Sequence, residues 1–215
     1  MLTVVVVHNG IHELELMFQP TEAATYTFVP TGPGFPERLA AGLANADALL
    51  VPNGSDHVAM LDAKNVVREF LDAGKAVLCF DGWFTAWIPG NHWQMDNSRR
   101  TIEVRYQIGT DPHNLLDGVN IDELIFNHGI SGWWACGYIT PAANADVLLT
   151  DTWGRAMVVL DEATTPGRMI LTSSGPLADF SYDGNNAHAI ARLFRNFLAY
   201  LSQPKANHEE RSIAV

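Results

Sequence analysis

The chain has 215 residues, 47% of them apolar, which suits one large α/β domain with a sizeable core. Acidic residues outnumber basic ones 24 to 13, giving a formal charge of −11 with no basic stripe. That disfavours nucleic acid and an anionic membrane surface as partners. Two cysteines, Cys79 and Cys136, do not make a disulfide framework, and both lie in apolar runs that predict buried small hydrophobes. The first residues lack the basic flank and the length of a signal core, and no apolar run reaches a membrane span. A cytoplasmic, reducing location is the expectation.

Residues 2–7 are a β-branched run ending at His8-Asn9-Gly10, and predict a central strand buried on both faces. A short helix is expected within 11–20. Residues 25–29 (TYTFV) predict a second strand, closed by Pro30 and the turn-rich Thr31-Gly32-Pro33-Gly34. Residues 36–44 are helix formers with Pro36 at the start, where proline is tolerated. Residues 46–51 predict a third strand, stopped by Pro52-Asn53-Gly54. Asp62 is the expected N-cap of a helix over 63–73, and Gly74 its stop. Residues 75–80 predict a fourth strand, which ends at Asp81-Gly82. Strand and helix in alternation imply a parallel sheet with helices on both faces.

The middle changes character. Residues 83–100 carry Trp83, Trp87 and Trp93 without a clear period. Residues 101–108 alternate and predict a strand with one wet face, and 132–139, 145–150 and 156–160 predict further strands. This is a β-rich addition. Residues 168–172 predict another buried strand, followed by Ser173-Ser174-Gly175, and an amphipathic helix is expected over 185–201. No repeat or linker is visible, so residues 1–202 read as one domain, with a frayed polar tail over 203–215.

The phrases "ADALLVPNG" (46–54), "GKAVLCFDG" (74–82) and "GRMILTSSG" (167–175), in that order, resemble the class I glutamine amidotransferase-like fold. Within it the chain is most similar to the trehalose-utilisation (ThuA-like) group. The turn Pro112-His113-Asn114-Leu115-Leu116-Asp117-Gly118 and the phrase "ANADVLLT" (143–150) match the middle of that group. The resemblance implies a three-layer α/β/α domain, with a mainly parallel flavodoxin-like sheet and β-rich additions in the middle of the chain. It also implies a strand–turn–helix elbow after the fourth strand. Amidotransferases hold a cysteine there. Here Asp81 takes that position, and Cys79 falls two residues earlier, inside the strand. The ThuA-like elbow holds a histidine, also absent. The late amidotransferase His-Pro-Glu has no counterpart, and the ThuA-like Ser-Leu-Gly-His corresponds to Ser173-Ser174-Gly175-Pro176. Without a thiolate and its base, glutaminase chemistry is not expected.

The candidate site gathers at the carboxyl ends of the strands, where open α/β sheets bind ligands. Asp81 is the candidate nucleophile or general base, and His8 its proton partner; a plain turn-capping Asp is the competing reading. Asn53 and Gly54 are candidate oxyanion donors, or only a turn. Gly82, Trp83, His92 and Ser174 complete the expected substrate-binding set. Trp83 is there to stack on a sugar ring, against the reading of a hydrophobic plug. The leading expectation is a cytoplasmic ThuA-like protein that binds a small polar ligand, a carbohydrate, above Asp81, with hydrolase or lyase activity left open. It needs no cofactor and no metal. A second expectation is a catalytically inactive domain that serves interaction or dimerisation through its tryptophans, and a homodimer or higher homo-oligomer is expected. A weaker third is a metal-dependent hydrolase using His8, Asp81 and His92.

Overall fold

The computed structural model describes residues 1–80, 82–125, 135–175 and 189–205. The first half alternates as its apolar runs predict: β1 (Leu2–His8), α1 (Glu13–Met17), β2 (Ala24–Pro30), α2 (Phe35–Leu43) and β3 (Ala48–Val51). Two short helices follow, α3 (His57–Asp62) and α4 (Lys64–Asp72), and then β4 (Ala76–Phe80). The middle supplies β5 (His92–Met95), β6 (Gln107–Ile108), β7 (Gly137–Thr140), β8 (Asp146–Thr150) and β9 (Ala156–Asp161). The chain then returns as β10 (Arg168–Thr172) and closes with α5 (Ala189–Leu201).

The strands form one sheet of order β2-β1-β3-β4-β10-β9-β7-β5, with β8 paired to β9 and β6 to β8. The first five are mutually parallel, and β9 runs antiparallel to β10. Register aligns Val6, Leu50, Leu78 and Ile170 in one row across β1, β3, β4 and β10. The alternate row is Val5, Leu49, Val77 and Met169. Because side chains alternate along a strand, the two rows face opposite ways. The first packs on Leu14 of α1, on Phe18 just after it, and on Ile190, Leu193 and Phe197 of α5. The second packs on Phe35 and Leu39 of α2 and on Val67, Phe70 and Leu71 of α4. Both faces are buried, which explains why these strands are continuous apolar runs. This is the expected α/β architecture.

Several local expectations are corrected. Asp62 does not cap the fourth helix. Asp56 caps α3 instead: its Oδ1 accepts from the backbone N–H groups of Val58 and Ala59, each at 3.0 Å. The segment 101–108 is not one strand. Residues 101–103 form a 3-10 turn closed by Glu103 N–H to Arg100 O, and only Gln107–Ile108 pair with a neighbour. Cys79 is buried in β4, whereas Cys136 is exposed. Strand β5 lies inside the tryptophan-rich stretch that has no readable period. Residues 185–188, the expected start of the last helix, lie outside the described residues. Among the described residues, no helix is long and apolar enough to cross a membrane.

Candidate functional site

Strands β1, β3 and β4 are neighbours and all point their carboxyl ends the same way. The chain leaves β1 towards β2 on one side and reaches β3 on the other. That reversal opens a crevice at the carboxyl edge of open α/β sheets. His8, the Asn53-Gly54 turn and Gly82 stand at the ends of these three strands. Asp81 lies outside the described residues.

His8 shares a face with Val4 and Val6 and is 17% exposed. Its Nδ1 accepts from the Gly10 N–H at 3.2 Å, and its ring meets Phe28 edge-on at 5.8 Å. Its Nε2 is buried without a hydrogen-bond partner among the described residues, 3.7 Å from Glu15 Oε1. A buried ring nitrogen left unbonded is costly, so it marks where a ligand or water gains most. Asn9 ties the first turn to the next: its Nδ2 donates to Asn53 O at 3.1 Å, and its Oδ1 accepts from Ile11 N–H at 3.0 Å. Gly54 is needed there. Its φ is +76°, and a Cβ would lie 3.3 Å from Asn9 Nδ2. Beside these polar groups opens an apolar cavity of about 160 Å³ walled by Leu14, Met17, Phe18, Pro52, Gly54 and Phe80.

The turn after β4 is held from two directions. On one side, a Cβ on Gly82 would lie 2.2 Å from the Trp93 indole, so Trp93 packs flat on this backbone. Trp93 belongs to β5, the last strand of the sheet order, so the sheet curls until its far strand touches its centre. On the other side stands His57, buried at the start of α3. Its Nδ1 accepts from Trp87 Nε1 at 3.1 Å, and the two rings stack 6.2 Å apart. The proton therefore sits on Nε2, which hydrogen-bonds the Gly82 backbone. Thr85 Oγ1 donates to the His57 carbonyl. Burial holds the His57 pKa below the usual value, against the opposing pull of Asp56 and of the Gly82 bond.

The remaining expected residues are scattered. Trp83 is buried in the core with Trp87 and Ile88, in the position of a plug. His92 is exposed on β5, on the alternate face from Trp93. Ser174 is buried, hydrogen-bonded through its side chain to Tyr106, and its carbonyl accepts from Thr172 Oγ1. Among the described residues, no group of three or more His, Cys, Asp or Glu side chains is placed to hold a metal ion. Sequence reasoning passed over Asn9 and His57. Both sit one to six residues beyond a strand end, where the sequence shows only turns.

Neither a protein-family model nor a curated protein sequence matches the chain. The fold does have solved counterparts. A glutamine amidotransferase from Thermotoga maritima superposes with a TM-score of 0.59 at 8% identity, covering 94% of this chain and 99% of that one. A catalytic mutant of the GH42 β-galactosidase Gan42B from G. stearothermophilus superposes with a TM-score of 0.50 at 11% identity. That likeness covers 95% of this chain but 31% of the galactosidase. The chain thus has a glutamine amidotransferase-like α/β fold. At these identities the likeness is one of fold.

Proposed function

We propose that this domain is a ThuA-like, cytoplasmic binding protein for a small polar ligand of the carbohydrate class, seated at the carboxyl edge between β1, β3 and β4. The observation that carries the reading is the buried Nε2 of His8, unbonded among the described residues, at the same sheet edge as the apolar cavity next to the Asn53-Gly54 turn. A sugar ring has hydroxyl edges and an apolar C–H face. Polar groups from His8 and Asn53, with a floor of Leu14, Phe18 and Phe80 at the same edge, suit both. For a hydrolase or lyase step, the roles are Asp81 as base or nucleophile, His8 as its proton partner and the Gly54 N–H as oxyanion donor. Glutaminase chemistry is not part of the reading, since Asp81 stands at the elbow in place of a thiol.

The test is a thermal-shift screen of neutral sugars, sugar acids and divalent metals on the wild type, His8→Ala and Asp81→Ala. A sugar that binds the folded state raises the melting temperature. The expected result is a rise with a sugar that both variants lose. A rise kept in full by both variants removes the role of this edge.

A second reading has its own support. Ile11, Val58 and Phe84 are 45%, 66% and 68% exposed around the same edge, with Phe84 edge-on to Trp93. Such a patch suits a protein interface. On this reading no ligand shifts the melting temperature, and Phe84→Ser turns a dimer into a monomer in sedimentation. An unchanged sedimentation coefficient counts against it.

A further inference from the structure

The opposite edge of the sheet holds a different constellation. Strand β9 ends and β10 begins there, next to the last turn of α5 and the turn 112–118. Buried Glu162, 8% exposed, is its centre. Its Oε1 accepts from the Tyr200 hydroxyl at 2.6 Å, and its Oε2 lies 3.0 Å from His113 Nε2. The rings of His113 and Tyr200 are 4.8 Å apart. His113 and Tyr200 of this cluster wall a cavity of about 430 Å³, within the range of small-molecule pockets.

We propose that this cavity is a second binding site, for a neutral, hydroxyl-rich compound such as a monosaccharide or a polyol. It does not rest on the reading of the carboxyl edge. The donor and acceptor inventory selects the class. Asn196 commits its amide N–H groups to Leu115 O and Asp117 O at 2.8 and 2.9 Å, which leaves its carbonyl oxygen to accept. The side-chain amides of Asn114 and Gln203 also line the cavity, and neither has a hydrogen-bond partner among the described residues. Each amide both donates and accepts, as a hydroxyl does, so amides pair with hydroxyls of either orientation. No lysine or arginine lines the cavity, and Asp117 does. Asp117 is paired with Arg192 at 3.3 Å, so among the described residues the wall itself offers an anion no cationic side chain.

The backbone supports the choice. Asn114 has φ +55°, the positive value otherwise reserved here to glycines among the described residues. Glycine holds this conformation at no steric cost, whereas asparagine bears some. After glycine, asparagine is among the residues that best tolerate this conformation, and here it places an amide on the cavity wall. A cluster that only pinned the turn to α5 is complete with Glu162, His113, Tyr200 and Asn196. The amides of Asn114 and Gln203 lie outside that cluster, exposed on the cavity wall.

The experiment is titration calorimetry of the full chain with D-glucose, D-mannose, sorbitol and D-glucose 6-phosphate. Wild type is compared with Asn114→Gly, Gln203→Ala and His8→Ala. Asn114→Gly relieves the backbone and deletes the amide, so it separates binding from folding. The expected result is that a neutral probe binds and the phosphorylated one binds more weakly. Asn114→Gly and Gln203→Ala each weaken the neutral probe by about 2- to 10-fold, the loss of one uncharged hydrogen bond. A neutral probe that also binds at the carboxyl edge gives a second event, which His8→Ala removes while the event weakened by Asn114→Gly and Gln203→Ala remains. No heat with any neutral probe overturns the proposal, as does tighter binding of the phosphate. Binding weakened by His8→Ala but not by Asn114→Gly or Gln203→Ala also overturns it, and assigns the ligand to the carboxyl edge.

Discussion

Gly82 shows how much one hydrogen atom in place of a methyl group can decide. A Cβ there would lie 2.2 to 2.5 Å from three atoms of the Trp93 ring, which cannot swing aside like the end of a flexible chain. Gly82→Ala is expected to cost about 1–3 kcal/mol, read as a lower urea midpoint. Trp93→Leu in the same chain should return part of that loss, because the two changes share one contact. Two purely additive losses would show that the ring does not rest on this backbone. His57 makes a prediction about pH. Its pKa in the fold is depressed below the usual 6.5 by burial. As pH falls, the unfolded chain takes up the proton first, so it binds more protons than the fold. Stability is therefore full above 6.5 and declines from there towards the folded value. Urea midpoints between about pH 8 and pH 5 should fall for wild type and fall less for His57→Asn. Equal slopes would remove His57 as the cause. The Asp47 carboxyl, held below its ordinary 3.8 first by the Thr3 N–H, loses its contribution only in a more acid window.

At the scale of the element, α3 separates two candidate caps. Asp56 accepts from two backbone N–H groups, while Asp62 is the last residue of the same helix. Asp56→Ala should cost about 0.5–2 kcal/mol, and Asp62→Ala no more than roughly 0.5, in chemical denaturation. The reverse ranking would sink the capping assignment. The parallel strands were legible because burial on both faces leaves unbroken runs such as VVVV at 4–7 and AVLCF at 76–80. The middle was not. Strand β5 (HWQM) is largely exposed and owes its conformation to pairing with β7, forty-odd residues away. Asp62 misled because an Asp ahead of a helical run carries the same signal whether or not another helix already ends there. Of the candidate residues, only position was legible. Strand ends place His8 and Asn53 at the carboxyl edge, but nothing local announces that Trp93 lands on Gly82, or that Tyr200 and His113 share a carboxylate.

The whole molecule is held together by contacts between residues far apart in the chain. Lys205 is one: its ammonium donates to the carbonyls of Glu162, Thr165, Pro166 and Gly167 at 2.8 to 3.3 Å, stitching the segment after α5 to the β9–β10 turn. Lys205→Ala should cost at most about 3 kcal/mol and lower the melting temperature by several degrees. An unmoved melting temperature would show that this stitch carries no load. A larger consequence lies in where β10 sits. Residues 168–172 pair with residues 76–80, so β4 meets its second neighbour only 92 positions later, since 168 − 76 = 92. On the ribosome, β1 to β4 emerge long before that neighbour exists. Through the whole intervening synthesis, AVLCF is a bare sheet edge with no charge or proline to guard it. The nascent chain is then at its most adhesive, because an unpaired apolar strand edge is a template for aggregation until its neighbour arrives.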